Sequence, residues 1–184
     1  MAQDVLPGLG DIGIVTVRGA GGWLVGLGER LAGGGRNTRW RHAFVVTGVG
    51  VARELTRIVE AEPSGARESA LSEYPPGAVL WLRCPDQYRE GVAAAASAMV
   101  GTKYSWLDYV AVALHHWGIN AGWLERYVGA KGHEMCSALA DEAARRGGWH
   151  LFGAQAVPPS AGVWAGDVMP ADLAALAEKQ GDAA

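Results

Sequence analysis

Two cysteines and five histidines are groups in this chain that could do covalent chemistry, and one of the cysteines stands where a thiol nucleophile belongs. Cys136 falls at the N-terminal end of a segment, His133–Arg146, whose Leu139, Ala140 and Ala143 recur at helical spacing until Gly147-Gly148 stops them. Unpaired N–H groups and the positive end of a helix dipole favour a thiolate, which makes this a place for a nucleophile. The other reading of a lone cysteine is a small buried hydrophobe. Cys84, just before Pro85 at a strand end, has no helix N-terminus to stabilise its thiolate. A thiol nucleophile needs a base. His42 begins an apolar β-rich run, His42–Val49, and a rigid strand can fix an imidazole against a helix end. His133 is the second candidate; His115 and His116 lie in an apolar helical segment, and His150 follows the Gly-Gly stop. The third group, which must orient the imidazole, is Glu60, flanked by Ile58, Val59 and Ala61 in the following run. A carboxylate in such surroundings needs a partner. Glu62 shares its strand face and competes for the role, although Pro63 places it at the strand end.

The elements that must carry these groups follow from periodicity. Asp11–Val17 alternates at period two and reads as a strand, as do His42–Val49, Leu55–Glu62 and Ala78–Arg83, separated by Gly, Pro and Ser; together they predict one antiparallel sheet. Helical patterns occupy Gly21–Leu31, Gln87–Val100, Ser105–Trp117, Gly122–Val128, His133–Arg146 and Met169–Lys179. Arg36–Arg41 reads as a basic loop and Pro158-Pro159 begins another. No internal repeat, low-complexity block or linker interrupts the 184 residues, so the expected class is a single α+β domain, with 1–10 and 180–184 as flexible ends.

Composition narrows the partners. Sixteen Lys and Arg against nineteen Asp and Glu give a net charge of −3, which lacks the basic footprint of a nucleic-acid-binding protein. The apolar runs, such as Val92–Val100 and Val110–Leu114, fall far short of the roughly 20 residues of a membrane span. The first ten residues carry Asp4, no Lys or Arg and no apolar core, unlike a secretory signal, and two cysteines without such a signal argue for free thiols in a reducing compartment. No Cys/His cluster has zinc spacing, no phosphate-binding Gly-Lys-Ser/Thr loop is present, and Gly8–Gly13 precedes a strand rather than following one. No cofactor or metal is expected.

The order of these motifs carries a family resemblance. Arg41–Val46 (RHAFVV), Ile58–Ala61 (IVEA), Lys103–Tyr109 (KYSWLDY), Met135–Leu139 (MCSAL) and Met169–Leu173 (MPADL) together resemble the circularly permuted NlpC/P60 papain-like hydrolases, in particular the YiiX/YaeF-like amidases, in which the histidine precedes the cysteine. The resemblance spans about Asp11 to Leu173. It implies an antiparallel sheet packed against helices with the nucleophile at a helix N-terminus, Cys136 as nucleophile, His42 as general base and Glu60 as the residue orienting it. Tyr104 is similar to the family's aromatic hydroxyl near the oxyanion. Ala43 stands where the family usually has Val, and the stretch Gly118–Gly132, with Trp123 and Tyr127, is longer than the motif spacing requires.

The resemblance implies hydrolysis of amides, chiefly cell-wall peptides, through an acyl-enzyme. A second expectation, from the lecithin:retinol acyltransferase-like permuted branch, is thioester acyl transfer or lipid-ester hydrolysis. A third is a binding module that keeps the fold without the chemistry. Eight tryptophans are many for a domain of this size. Trp40 and Trp106 are expected at the site mouth with Arg41, Arg36 and Arg39 nearby, able to stack on a substrate and pair with its carboxylate; Trp81 is a further candidate wall. The expected location is the cytoplasm, or delivery as part of a larger bacterial or phage assembly.

Overall fold

A computed structural model describes residues 6–16, 40, 42–62, 65–102, 136–153, 168 and 170–182. Five strands, β1 (Ile12–Val15), β2 (His42–Gly48), β3 (Arg57–Glu62), β4 (Gly65–Ala70) and β5 (Val79–Leu82), form one antiparallel sheet in the order β4-β3-β2-β1-β5. Three helices follow among the described residues: α1 (Arg89–Ala98), α2 (Cys136–Arg146) and α3 (Pro170–Asp182). The protein is α+β. The helical patterns at Gly21–Leu31, Ser105–Trp117 and Gly122–Val128 lie outside the described residues.

Period-two alternation gives the sheet two apolar faces. Ile12, Ile14, Ala43, Val45, Val59, Ala61 and Leu82 pack against Val92 and Ala96 of α1, Leu139, Ala140 and Ala143 of α2, and Leu173, Ala174 and Ala177 of α3. Val15, Phe44, Val46 and Ile58 project the other way, around Leu71, with Tyr74, Val79 and Trp81 packed on them. Gly13 is required on this second face: a Cβ there would meet the Phe44 ring at 2.3 Å.

Helix α2 is set on the first face by its neighbour and by its ends. A Cβ on Gly147 would lie 2.4 Å from the Val92 nitrogen, and one on Gly91 would lie 2.9 Å from the Gly147 carbonyl oxygen, so α1 and the end of α2 meet backbone to backbone. Gly148, at φ +87, then ends the helix. The Trp149 N–H returns to the Ala144 carbonyl at 2.8 Å and the Gly148 N–H to that of Arg145 at 3.1 Å, the paired bonds of a Schellman cap. At the other end the buried Ser137 hydroxyl donates to the Val168 carbonyl.

The structure corrects the sequence reading in three places. Residues Gly65–Ala70, read as connection, form β4 with β3. They contain no β-branched or aromatic residue, so pairing rather than propensity makes the strand. The predicted Leu55 start of β3 gives way to a 3₁₀ turn, Arg53–Leu55, and the strand begins at Arg57. The supposedly loose ends are also partly tied. Gln180 in α3 accepts the Arg83 N–H at 2.7 Å and donates to the Arg83 carbonyl at 2.9 Å, and the Gly10 N–H reaches the Val46 carbonyl at 2.8 Å.

Asp11 anchors this N-terminal approach. It is fully buried, accepts the backbone N–H groups of Gly8 and Cys84 at 2.9 Å each, and pairs with Arg83 at 2.7 Å and Arg89 at 3.0 Å. Asp11→Ala would leave the buried Cys84 N–H without its acceptor and the partly exposed Arg83 and Arg89 without their shared counter-charge. Urea unfolding should show a loss of about 3 kcal/mol, the scale for breaking a buried charged hydrogen-bond network; an unchanged midpoint would remove Asp11 from this role.

Candidate active site

His42 opens β2, and Phe44 follows it on the same face. In the β2–β3 ladder Glu60 pairs with Phe44, so Glu60 stands diagonally across from His42, within reach of a long side chain. The His42 Nε2 lies 2.8 Å from Glu60 Oε2. Glu62, one strand period further on, is 40 % exposed and rests on Arg67 at 3.0 Å instead. Of the two carboxylates, the deeper one meets the imidazole.

Glu60 is 1 % exposed and has a complete set of donors. Ser69 Oγ donates to Oε1 at 2.6 Å, Arg67 Nη2 stands 2.9 Å from the same oxygen, and the Tyr74 hydroxyl donates to Oε2, the oxygen that also holds His42. Burial alone would push this carboxyl up, but the hydrogen bonds from His42, Ser69 and Tyr74 and the nearby imidazolium bring it down to about 2. Sequence reasoning missed Arg67, Ser69 and Tyr74. The available signal was the alternation Arg67-x-Ser69, two polar residues on one strand face, which the β3–β4 register sets opposite Glu60 and Ile58.

The Cys136 thiol lies beside the His42 ring and close to the backbone N–H groups of Ala43 and Ser137, all of which favour its thiolate. With Nε2 committed to Glu60, Nδ1 is the ring atom left for sulfur. Burial would raise this thiol; the His42 charge and those N–H groups overcome it and hold it below its ordinary value. Conversely, burial works against the His42 imidazolium, yet Cys136 and Glu60 on its two sides raise it to about 10. Both shifts favour the thiolate and the imidazolium over the neutral thiol and imidazole. Cys84 is in the opposite state: burial, then Asp11 beside it, push its thiol up to about 11.

Trp40, expected at the site mouth, is only 8 % exposed and belongs to the same apolar cluster as Ala43 and Cys136. It is a core residue, because the helix-side face of the sheet encloses it. Trp81 packs edge-on to Phe44, with ring centroids 5.9 Å apart. His150 is exposed. Arg41, Tyr104, Trp106, His115, His116 and His133 lie outside the described residues. Among the described residues no group of three or more His, Cys, Asp or Glu side chains is arranged to hold a metal, and no helix is long and apolar enough to cross a membrane. Comparison with family models finds no match, and comparison with curated proteins finds none either.

Two measurements follow from these charges. With iodoacetamide at pH 7, Cys136 should label about a hundredfold faster than Cys84, because the thiolate is the reacting species; equal rates or a faster Cys84 would overturn the assignment. Stability should also fall at both ends of the pH scale. Glu60 titrates lower folded than unfolded, so its contribution is full above the ordinary 4.5 and is lost as pH drops toward about 2. His42 titrates higher folded than unfolded, so its contribution is full below 6.5 and is lost as pH rises toward about 10, with the lowered Cys136 thiol offsetting part of that loss below its ordinary 9.0. Denaturation midpoints across pH 2–10 should show both slopes, and Glu60→Gln should flatten the acid one.

Proposed function

We propose that this protein is a cysteine hydrolase that forms an acyl-enzyme on Cys136, with His42 as general base and Glu60 as the residue that orients it. One observation carries the reading: His42 is held between a thiol on one side and a fully buried carboxylate on the other, the nucleophile–base–orienter arrangement that thiol acyl transfer needs. A binding module would have no use for a buried carboxylate whose Oε2 holds an imidazole that faces a thiol. The sheet-and-helix arrangement, with His42 and Glu60 upstream of Cys136, supports a permuted papain-like NlpC/P60 fold.

In this mechanism His42 holds the proton released by Cys136. The sulfur attacks an amide carbonyl carbon, a C–S bond forms, and the carbonyl π electrons move to oxygen. The Ala43 and Ser137 N–H groups, which lie close to the sulfur, are the oxyanion donors proposed among the described residues. The imidazolium gives its proton to the leaving nitrogen as the C–N bond breaks. His42 then takes a proton from water, hydroxide attacks the thioester carbonyl, and the C–S bond breaks to give a carboxylate and the thiol. Glu60 keeps the ring in place and balances its charge throughout.

The substrate class proposed is the small peptide amide, most specifically the peptide stems of cell-wall polymer. The proposed setting is the cytoplasm or a delivering bacterial or phage assembly. Arg41, Tyr104 and Trp106 remain the proposed substrate-side residues. Muropeptide fragments, short-chain thioesters and p-nitrophenyl esters should be compared under identical conditions. The expected result is amide cleavage that Cys136→Ala abolishes, with an acyl adduct on Cys136 detected by mass spectrometry. Glu60→Gln should lower kcat by about 10²–10⁴, the range for removing a triad orienter. Ester or thioester turnover alone would replace amide hydrolysis with the acyltransferase chemistry, and no turnover with no adduct would overturn the enzyme reading.

A further inference from the structure

Tyr74 lies on no strand or helix, yet it touches both members of the His42–Glu60 couple. Its ring lies over the imidazole, with centroids 6.2 Å apart and planes 28° from parallel, and stacks on Phe44 at 4.9 Å. Its hydroxyl donates to Glu60 Oε2, the same oxygen that holds His42 Nε2. The backbone at this point is itself held: Arg53 Nη2 donates to the Tyr74 carbonyl at 2.8 Å and reaches the Leu71 and Pro75 carbonyls at 3.4 and 3.5 Å. Arg53 belongs to the turn ahead of β3, the strand that carries Glu60. One guanidinium thus ties the Tyr74 segment to the element bearing the carboxylate.

We propose that Tyr74 is the positioning residue of this site: its ring fixes the plane of the His42 imidazole, and its hydroxyl shares the one carboxylate oxygen on which the imidazole N–H rests, moderating the hold of Glu60 on the imidazolium. A carboxylate oxygen that serves two donors gives less to each than one that serves a single donor. The second donor therefore matters when the imidazolium must surrender its proton to a leaving group. The groups around His42 leave Tyr74 as the residue suited to this. Cys136 faces the other side of the ring. Ser69 and Arg67 engage the other oxygen of Glu60, and Glu62 and Glu73 sit beyond, on Arg67. The kinetic consequence rests on the cysteine-hydrolase reading; the spectroscopic one does not.

Tyr74→Phe keeps the ring and deletes the second donor. With histidine labelled in nitrogen-15, the His42 Nε2–H proton resonance should move downfield in this variant, because Oε2 is left to His42 alone. Arg53→Gln, which loosens the Tyr74 segment without touching the couple, should move it in the same direction by less, and it serves if Tyr74→Phe does not fold. In turnover, Tyr74→Phe should lower kcat for an amide by about tenfold more than kcat for a p-nitrophenyl ester, whose leaving group needs no proton, with KM little changed. An unmoved resonance in a folded variant overturns the proposal, as does an equal loss on amide and ester. If the unaltered protein hydrolyses neither substrate, the hydrolase reading falls, and the resonance alone decides whether Tyr74 moderates the couple.

Discussion

A carboxylate with almost no solvent exposure must be solvated by protein or it will take up a proton or disrupt the fold. Glu60 is that carboxylate, and much of the described structure near it consists of its solvation shell. One donor comes from β2, two from β4 and one from the segment after the 3₁₀ turn at Leu71–Glu73. The strand order β4-β3-β2 is what allows this, because it places Glu60 on the middle strand of three. From there neighbours on both sides can reach its two oxygens separately: Oε1 serves β4, and Oε2 serves His42 and Tyr74.

The thiol side of the site obeys a different constraint. Cys136 must approach the start of β2 from a helix packed on the opposite face from Phe44, so its position depends on how closely that helix can lie. The glycine contact between α1 and the end of α2, and the Ser137 hydroxyl bond to residue 168 at the beginning of α2, fix the helix at both ends. The sheet sets His42 and Glu60, and the helix packing sets Cys136. The short reach from sulfur to imidazole is where those two sets of constraints meet.

Which parts of this were legible in the sequence follows from which were local. The strands rich in Val and Ile, the Gly147-Gly148 stop, and the placing of His42, Glu60 and Cys136 on strand, strand and helix all rest on patterns within one element. The preference for Glu60 over Glu62 was also readable, since Pro63 marks the strand end. β4 was not, because GARESA has no strand-forming composition and becomes a strand only by pairing with β3. Tyr74 was hidden for a related reason: it lies in irregular backbone held by Arg53, and no periodicity assigns a side chain there to a site. Trp40 was expected at the site mouth from its adjacency in sequence to Arg41-His42, whereas its side chain is buried in the apolar cluster that also holds Ala43 and Cys136.

The distance in sequence between the two halves of the site has a consequence for what either half can supply. The β2–β3–β4 meander is built from neighbouring segments, so closing it costs little loop entropy, and the Glu60 shell can form from residues 42 to 74 alone. Cys136 belongs to a helix from much later in the chain, packed on the other face of the sheet. The lowering of this thiol thus depends on a long-range contact with His42 that neither the 42–74 segment nor the helix can supply by itself.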